Sequence, residues 1–306
     1  IELTKRFKGH LVNLDSDDYL DAELFPDEIS GGTAGALATN GSGTTGVAIG
    51  DLTGPVIPCE GQPRTIEQIG DRVNWDGITP TGSIGQNSAD QDINVYIRDA
   101  CAGQTKVRTV VIGASIHGSE NGGQYVAQEL LFNKALPPDV RIIAIPEINK
   151  AGVTGKSPKP RLNMNNVNLN RNFDYLWESS KQGDADEGNP AYKGSGPASE
   201  IETQAIQNFL LSVGKSSLVI SYHDNTNQVY YSGPDKSQSI NIADEYARFV
   251  GMTNNKNQGY GFFEAWYNAK TGTPALLVEL SSDYSATYLN KHADALVKVI
   301  TDNVVK

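Results

Sequence analysis

From about residue 61 onward, apolar residues fall into two alternating kinds of stretch. DINVYIRDA (92–100) alternates apolar and polar positions, the period of a half-buried strand. VRTVVIGASI (107–116), VRIIAIPEI (140–148), SSLVISYH (216–223) and TPALLVEL (273–280) are near-continuous apolar runs with many β-branched residues, which predict strands covered on both faces. GGQYVAQELLFNKAL (122–136), SEIETQAIQNFLLSV (199–213) and YLNKHADALVKVITDNVV (288–305) repeat apolar residues at helical spacing. The second of these opens with Ser199 and Glu202, the spacing of a capping box. Buried strands separated by helices predict an α/β domain with a mixed, mostly parallel central sheet and helices on both faces.

Residues 1–60 follow neither period. An acidic stretch (15–28) precedes a segment (31–54) made largely of Gly, Ser and Thr, in which Asp51 is the only charge. Such a segment buries too little apolar surface for a core of its own. The chain therefore divides into an irregular extension, 1–60, suited to attachment to a larger assembly, and a domain, 61–306. The 306 residues carry a formal charge of −11, which argues against nucleic acid and anionic lipid as partners. No apolar run approaches the roughly 20 residues of a bilayer span. The chain opens without Met or a signal-peptide pattern, as a processed or trimmed product would. An extracellular, periplasmic or virion-associated place is expected in preference to the cytoplasm. Two cysteines, Cys59 and Cys101, exclude a disulfide scaffold and a thiolate metal site. They form one bridge or stay as two buried thiols.

Three buried runs end in residues that bind metals. The run at 107–116 leads into His117 and Glu120, the run at 216–223 ends at His223, and the run at 273–280 carries Glu279. Ligands of open α/β sheets collect at the carboxyl ends of strands. Two imidazoles and a carboxylate form a known catalytic zinc set with one position open. In His117-x-x-Glu120, Gly118 permits the tight turn that brings both side chains to one ion. Taken alone, these residues also suit a surface pair at 117 and 120 and a buried structural histidine at 223.

Two further segments join them into a pattern. PRLNMNNVNLNRNFDYLW (160–177) is followed by YKGSGPASEIETQAIQNFL (192–210). With His117, Glu120, His223 and Glu279 in the same order, they resemble the M14 metallocarboxypeptidases, the zinc carboxypeptidases of the carboxypeptidase A and T type. SIGQNSADQDINVYIRD (83–99) resembles the strand-leading segment that opens many such domains, so the resemblance spans about residues 65–306. It implies that His117, Glu120 and His223 hold one zinc ion. It implies that Glu279 is the general base that deprotonates a metal-activated water and then protonates the leaving amine. Arg161, nine residues before Asn170, would polarise the scissile carbonyl and steady the oxyanion. Asn170 and Arg171 would grip the terminal carboxylate of a peptide, a task that suits the guanidinium fork.

The chain departs from the family pattern in places. Asn168 stands where many members carry an Asp that accepts a hydrogen bond from a ligand histidine; an amide oxygen still accepts, without charge. The tyrosine that closes over substrate aligns cleanly with neither Tyr260 nor Tyr267, of which Tyr260 suits a loop and Tyr267 the core. The specificity position falls in GFFEAW (261–266): Phe263 there makes an apolar pocket, and Glu264 one for basic residues or diaminopimelate. An apolar or mixed pocket is the expectation. Asp224 replaces a small residue after His223 and is placed to meet substrate amides or the metal's surroundings. His10 and His292 are expected to face solvent.

The resemblance therefore implies a zinc exopeptidase that removes C-terminal residues from peptides, bacterial cell-wall peptides among them. A zinc amidase of N-acyl amino acids, of the desuccinylase and aspartoacylase branch, is the alternative. A binding or structural module on the same scaffold is a third reading, and a zinc-free protein would favour it.

Overall fold

A computed structural model describes residues 46–180, 186–257 and 259–302. The acidic stretch, most of the glycine-rich segment and His10 lie outside the described residues.

A short antiparallel hairpin, β1 (Gln68–Ile69) and β2 (Arg72–Val73), precedes the sheet. Then come β3 (Gly82–Gln86), β4 (Asp92–Arg98), β5 (Arg108–Ala114), α1 (Gly122–Gln128, continued by a π-helical turn, Glu129–Asn133), β6 (Val140–Ile145) and α2 (Lys150–Val153). After a long stretch of turns follow α3 (Ile201–Val213), β7 (Leu218–Asp224), β8 (Gln228–Tyr231) and α4 (Ser237–Val250). The chain ends with β9 (Thr253–Lys256), α5 (Phe263–Thr271), β10 (Ala275–Leu280) and α6 (Ala286–Thr301). Eight strands form one sheet in the order β3-β4-β6-β5-β7-β10-β8-β9. The central four, β6, β5, β7 and β10, are parallel, and antiparallel pairings flank them at β4 and β8.

The five runs read as strands from their pattern all form strands. All seven residues of β7 are buried, as a continuous apolar run requires when both faces are covered. Successive residues serve opposite faces. Ile220 and Tyr222 join a core with α1, α4 and α6, whereas Val219 joins a second core with α3 and α5. The strand β4 is half-buried only over its first residues, because Tyr96, Ile97 and Arg98 are covered as well. The Arg98 guanidinium donates to the carbonyls of Cys59, Leu130 and Lys134.

The end of the compositional extension lies against the domain. Ile57 bridges to Arg98, and the Ile49 amide donates to Ser212 Oγ. Cys59 and Cys101 are joined by a disulfide. The capping box expected at Ser199 and Glu202 does not form. Glu200 is the N-cap of α3, and Glu202 instead accepts from the amide and hydroxyl of Ser88. His292 does not face solvent: it is buried, with Nδ1 2.9 Å from Tyr246 Oη. Burial foremost lowers its pKa to about 4. Its neighbours on α6 are charged, but the face that carries it packs on α4, which sequence neighbours alone do not reveal.

Candidate metal centre and active site

The carboxyl ends of β5, β7 and β10 meet at one point of the sheet. β7 and β10 run parallel with Glu279 opposite His223, and β5 delivers the loop that carries His117 and Glu120. Ser115, the first residue after β5, takes the left-handed region at φ 50°, a conformation that costs a non-glycine residue of order 1 kcal/mol or more. Its hydroxyl donates to the Glu120 carbonyl (3.1 Å) and accepts from Gln124 Nε2 (2.9 Å), which holds the bend. The Glu120 amide closes a turn on the His117 carbonyl at 3.0 Å. Gly118 has a role other than the turn geometry expected of it. A Cβ there would lie 2.4 Å from the carbonyl carbon of Gly152, so the glycine lets α2 pack under the loop.

His117, Glu120 and His223 present ligand atoms that all lie within 4.8 Å of one another, each residue buried. His117 Nδ1 lies 2.8 Å from Glu120 Oε1, and His223 Nδ1 lies 2.8 Å from Glu120 Oε2. The other ring nitrogen of His117 meets Asn168 Oδ1 at 3.0 Å. That oxygen also accepts from the Asn170 amide and has no proton to give, so His117 carries its hydrogen on Nε2. Burial, then the nearby Arg161 charge, lowers His117 to about 4, which keeps the ring neutral near pH 7. Its Nδ1 lone pair therefore faces a carboxylate oxygen at hydrogen-bond distance, an arrangement that calls for a cation between them. Burial alone would raise Glu120, but the two imidazoles beside it outweigh that and hold the carboxyl well below the usual range. Two imidazole nitrogens and a carboxylate, with outer partners orienting a ring, fit the donor preferences of zinc.

Asn168 thus fills the place expected of an Asp, and its amide nitrogen explains the exchange: Nδ2 donates to the Pro190 carbonyl at 2.7 Å. Asn168→Asp would set a carboxylate oxygen against that carbonyl. It is expected to lower stability to denaturant by about 1–3 kcal/mol, the cost of an unmade buried hydrogen bond. Unchanged or raised stability in an equilibrium unfolding titration would show that the amide is not required.

The remaining candidates are drawn into the same region. Arg161 Nη1 donates to Glu120 Oε1 at 2.8 Å, at the edge of the cluster. Asn170 Nδ2 lies 3.3 Å from His223 Nε2, and Asn170 Oδ1 accepts from the Phe263 amide at 3.1 Å. Arg171 is buried, donates Nη1 to the Asn170 carbonyl and places its guanidinium carbon 4.5 Å from the centre of the Phe262 ring. Tyr267 is buried in the core against Ser216, and Tyr260 lies in the loop before α5.

The structure separates the two specificity candidates. The Phe263 ring packs edge-on to Phe173 and against β5, where a Cβ on Gly113 would meet it. Glu264, in the first turn of α5, is wholly buried, and neither carboxylate oxygen makes a hydrogen bond of ordinary length. Burial foremost raises its pKa; its own amide, His223, Ser232 and Arg171 act the other way. Ser232, just past β8, is likewise buried, and its hydroxyl too makes no hydrogen bond of ordinary length. No motif marks Ser232 in the sequence. Nor does any motif mark Tyr284, whose hydroxyl donates to Asp224 Oδ2 at 2.6 Å, with the Gly122 amide on the same oxygen at 3.2 Å. Burial foremost raises Asp224 to about 7.

A family model described as zinc carboxypeptidase matches residues 74–295. No curated protein matches the chain significantly. Among solved structures, carboxypeptidase A from Helicoverpa armigera is similar at TM-score 0.61 and 13% identity, over 72% of this chain and 67% of that one. Bovine thrombin-activatable fibrinolysis inhibitor, solved with a tick carboxypeptidase inhibitor, is similar at 0.57 and 18%, over 73% and 89%. The murein-tripeptide amidase MpaA from Escherichia coli O157 is similar at 0.53 and 19%, over 84% and 97%. At these identities the likeness to solved structures speaks for the fold.

Proposed function

We propose that this chain, which belongs to the zinc carboxypeptidase family, is an exopeptidase that hydrolyses the last peptide bond of substrates whose C-terminal residue has a cationic side chain. The observation that carries the hydrolase reading is the convergence of His117 Nδ1, His223 Nδ1 and the Glu120 carboxylate at the ends of two parallel strands, with Glu279 in register beside His223. Those three residues would hold one zinc ion, which supplies Lewis acidity and a water whose pKa falls to about 7.

The chain's own groups divide the rest of the work. Arg171, with Asn170, holds the substrate's terminal carboxylate by charge-assisted hydrogen bonds and so fixes which bond is cut. Arg161 supplies positive charge beside the scissile carbonyl, where negative charge develops as water adds. Glu279 takes a proton from the attacking water and returns it to the leaving amine, so that one water and one peptide yield one acid and one amine. The disulfide between Cys59 and Cys101 supports a place in an oxidising compartment.

The preference for a cationic residue rests on Glu264. A buried carboxylate with no hydrogen bond of ordinary length is costly, and a substrate ammonium or guanidinium would satisfy it. With Phe263 packed into the core, Glu264 is the member of the pair with a group left to offer. C-terminal lysine, arginine and diaminopimelate share the required chemistry, and the last would make cell-wall peptides substrates.

The test is zinc content together with a panel of peptides ending in Lys, Arg, diaminopimelate, Phe and Glu, and N-acetyl and N-succinyl amino acids. One zinc per chain with release of the C-terminal residue supports the exopeptidase; turnover of the N-acyl amino acids alone would replace it with an amidase. Glu264→Gln is expected to lower kcat/KM for peptides ending in Lys by about 10–100-fold, the worth of a buried charged hydrogen bond, and to leave those ending in Phe nearly unchanged. An unaltered Lys-to-Phe ratio would remove Glu264 from the pocket.

A further inference from the structure

Beyond the metal centre, the far side of the carboxyl rim carries a cavity of about 240 Å³. It lies between the β1–β2 hairpin segment, β4 and the start of α2. Its walls include Trp75, Ile78 and Tyr96, and its charged groups are Arg72, Asp76, Glu147 and Lys150. None of the proposed metal or substrate residues lines it.

The charges in this cavity are not locked to one another. Arg72 Nη1 stands 3.4 Å from Glu147 Oε1, and Lys150 Nζ stands 3.4 Å from the Asp92 carbonyl. Two other arginine pairs in the same molecule are tighter: Arg108 with Asp139 at 2.6 Å and Arg141 with Asp99 at 2.7 Å. Charge-assisted hydrogen bonds settle at about 2.7–2.9 Å when geometry allows. Arg72 and Lys150 thus keep donors for another acceptor. The Glu147 side chain is only 9% exposed. Burial raises its pKa against the pull of Lys150 and Arg72, so a further cation beside it would be favourable. The rings of Trp75 and Tyr96, with centroids 4.7 Å apart, form an apolar wall next to these charges. Trp75 is fixed by its Nε1 bond to Gln124 at 3.2 Å.

We propose that this cavity binds a free α-amino acid with an apolar side chain, its carboxylate taken by Arg72 and Lys150, its ammonium by Glu147, and its side chain by Trp75, Ile78 and Tyr96. Two cations and two carboxylates around an apolar wall complement a zwitterion, whereas a simple anion or cation would meet a like charge on one side. A volume of this size holds a single amino acid and little more. The site stands independently of the hydrolase reading, since its lining and that of the metal centre do not overlap.

Calorimetric titration of the full chain with L-leucine, N-acetyl-L-leucine and L-leucinamide tests it. Leucine is expected to bind saturably, and each blocked analogue, lacking one of the two charges, at least about tenfold more weakly. Arg72→Ala and Lys150→Ala, both at partly exposed positions, are each expected to weaken leucine by about tenfold or more. The proposal is overturned if leucine shows no saturable binding below about 10 mM, if the blocked analogues bind as well as leucine, or if neither substitution changes the affinity.

Discussion

Glu279→Gln is expected to lower kcat/KM for release of the C-terminal residue by about 10²–10⁴-fold, the usual contribution of a positioned general base, with zinc content unchanged. The amide matches the carboxylate in shape but takes no proton near neutral pH. Glu279 is a sheet residue, paired across β10 and β7 with His223 and across β10 and β8 with Gln228. Its backbone is therefore held from both sides, and the substitution should leave the strand in place. Measured metal content and unfolding midpoint separate a lost proton transfer from a damaged site. Residual activity within about tenfold of the parent would assign the base elsewhere, since a proton-transfer role is worth more than that.

His223→Ala is expected to cost more than any change in an outer partner. Substitutions of groups that merely orient a ligand weaken metal binding by about 10–100-fold; His223→Ala takes away one of three donors and should exceed that range. Activity should fall below detection at micromolar zinc. The variant also strips Glu120 Oε2 of its 2.8 Å contact with an imidazole and leaves a buried carboxylate short of one partner. Added zinc is expected to raise the thermal midpoint of the parent, as any ligand that binds only the folded state does, and to leave that of His223→Ala nearly unmoved. Equal zinc shifts in both proteins would place the metal away from this cluster.

Much of the domain was legible because its strands are buried on both faces. A strand such as β7, apolar at Leu218, Val219, Ile220 and Tyr222, writes its environment into composition. Among the elements that the pattern does not announce are those whose faces are divided or short: α4 and α5, the edge strands β3 and β9, and β8 beside β9. β9 is Thr253–Lys256, with no buried residue, and nothing in its composition announces a strand. The expected capping box at Ser199 failed for a comparable reason. Glu202 had a better use at Ser88, far away in sequence, and local spacing carries no information about such competitors.

The same division runs through the site. By itself, the sequence determined the fold class and the order of the motifs, and it marked His117, Glu120, Arg161, Asn170, Arg171, His223 and Glu279 as candidates for one site. It could do so because each follows a buried strand or sits in a segment whose residue types are tied to one chemistry. Only the tertiary structure decided what each side chain touches. It turned Phe263 into the core and left Glu264 buried without a hydrogen bond of ordinary length, a one-residue difference that helix phase settles and a sequence window does not. It showed that Asn168 uses both ends of its amide, on His117 and on Pro190, so that the change from Asp is matched by a second partner. It buried His292 against Tyr246 and brought Arg72, Trp75, Glu147 and Lys150 around one cavity. Periodicity reports which residues leave water. Which buried group meets which is set by sheet register and helix packing between segments distant along the chain.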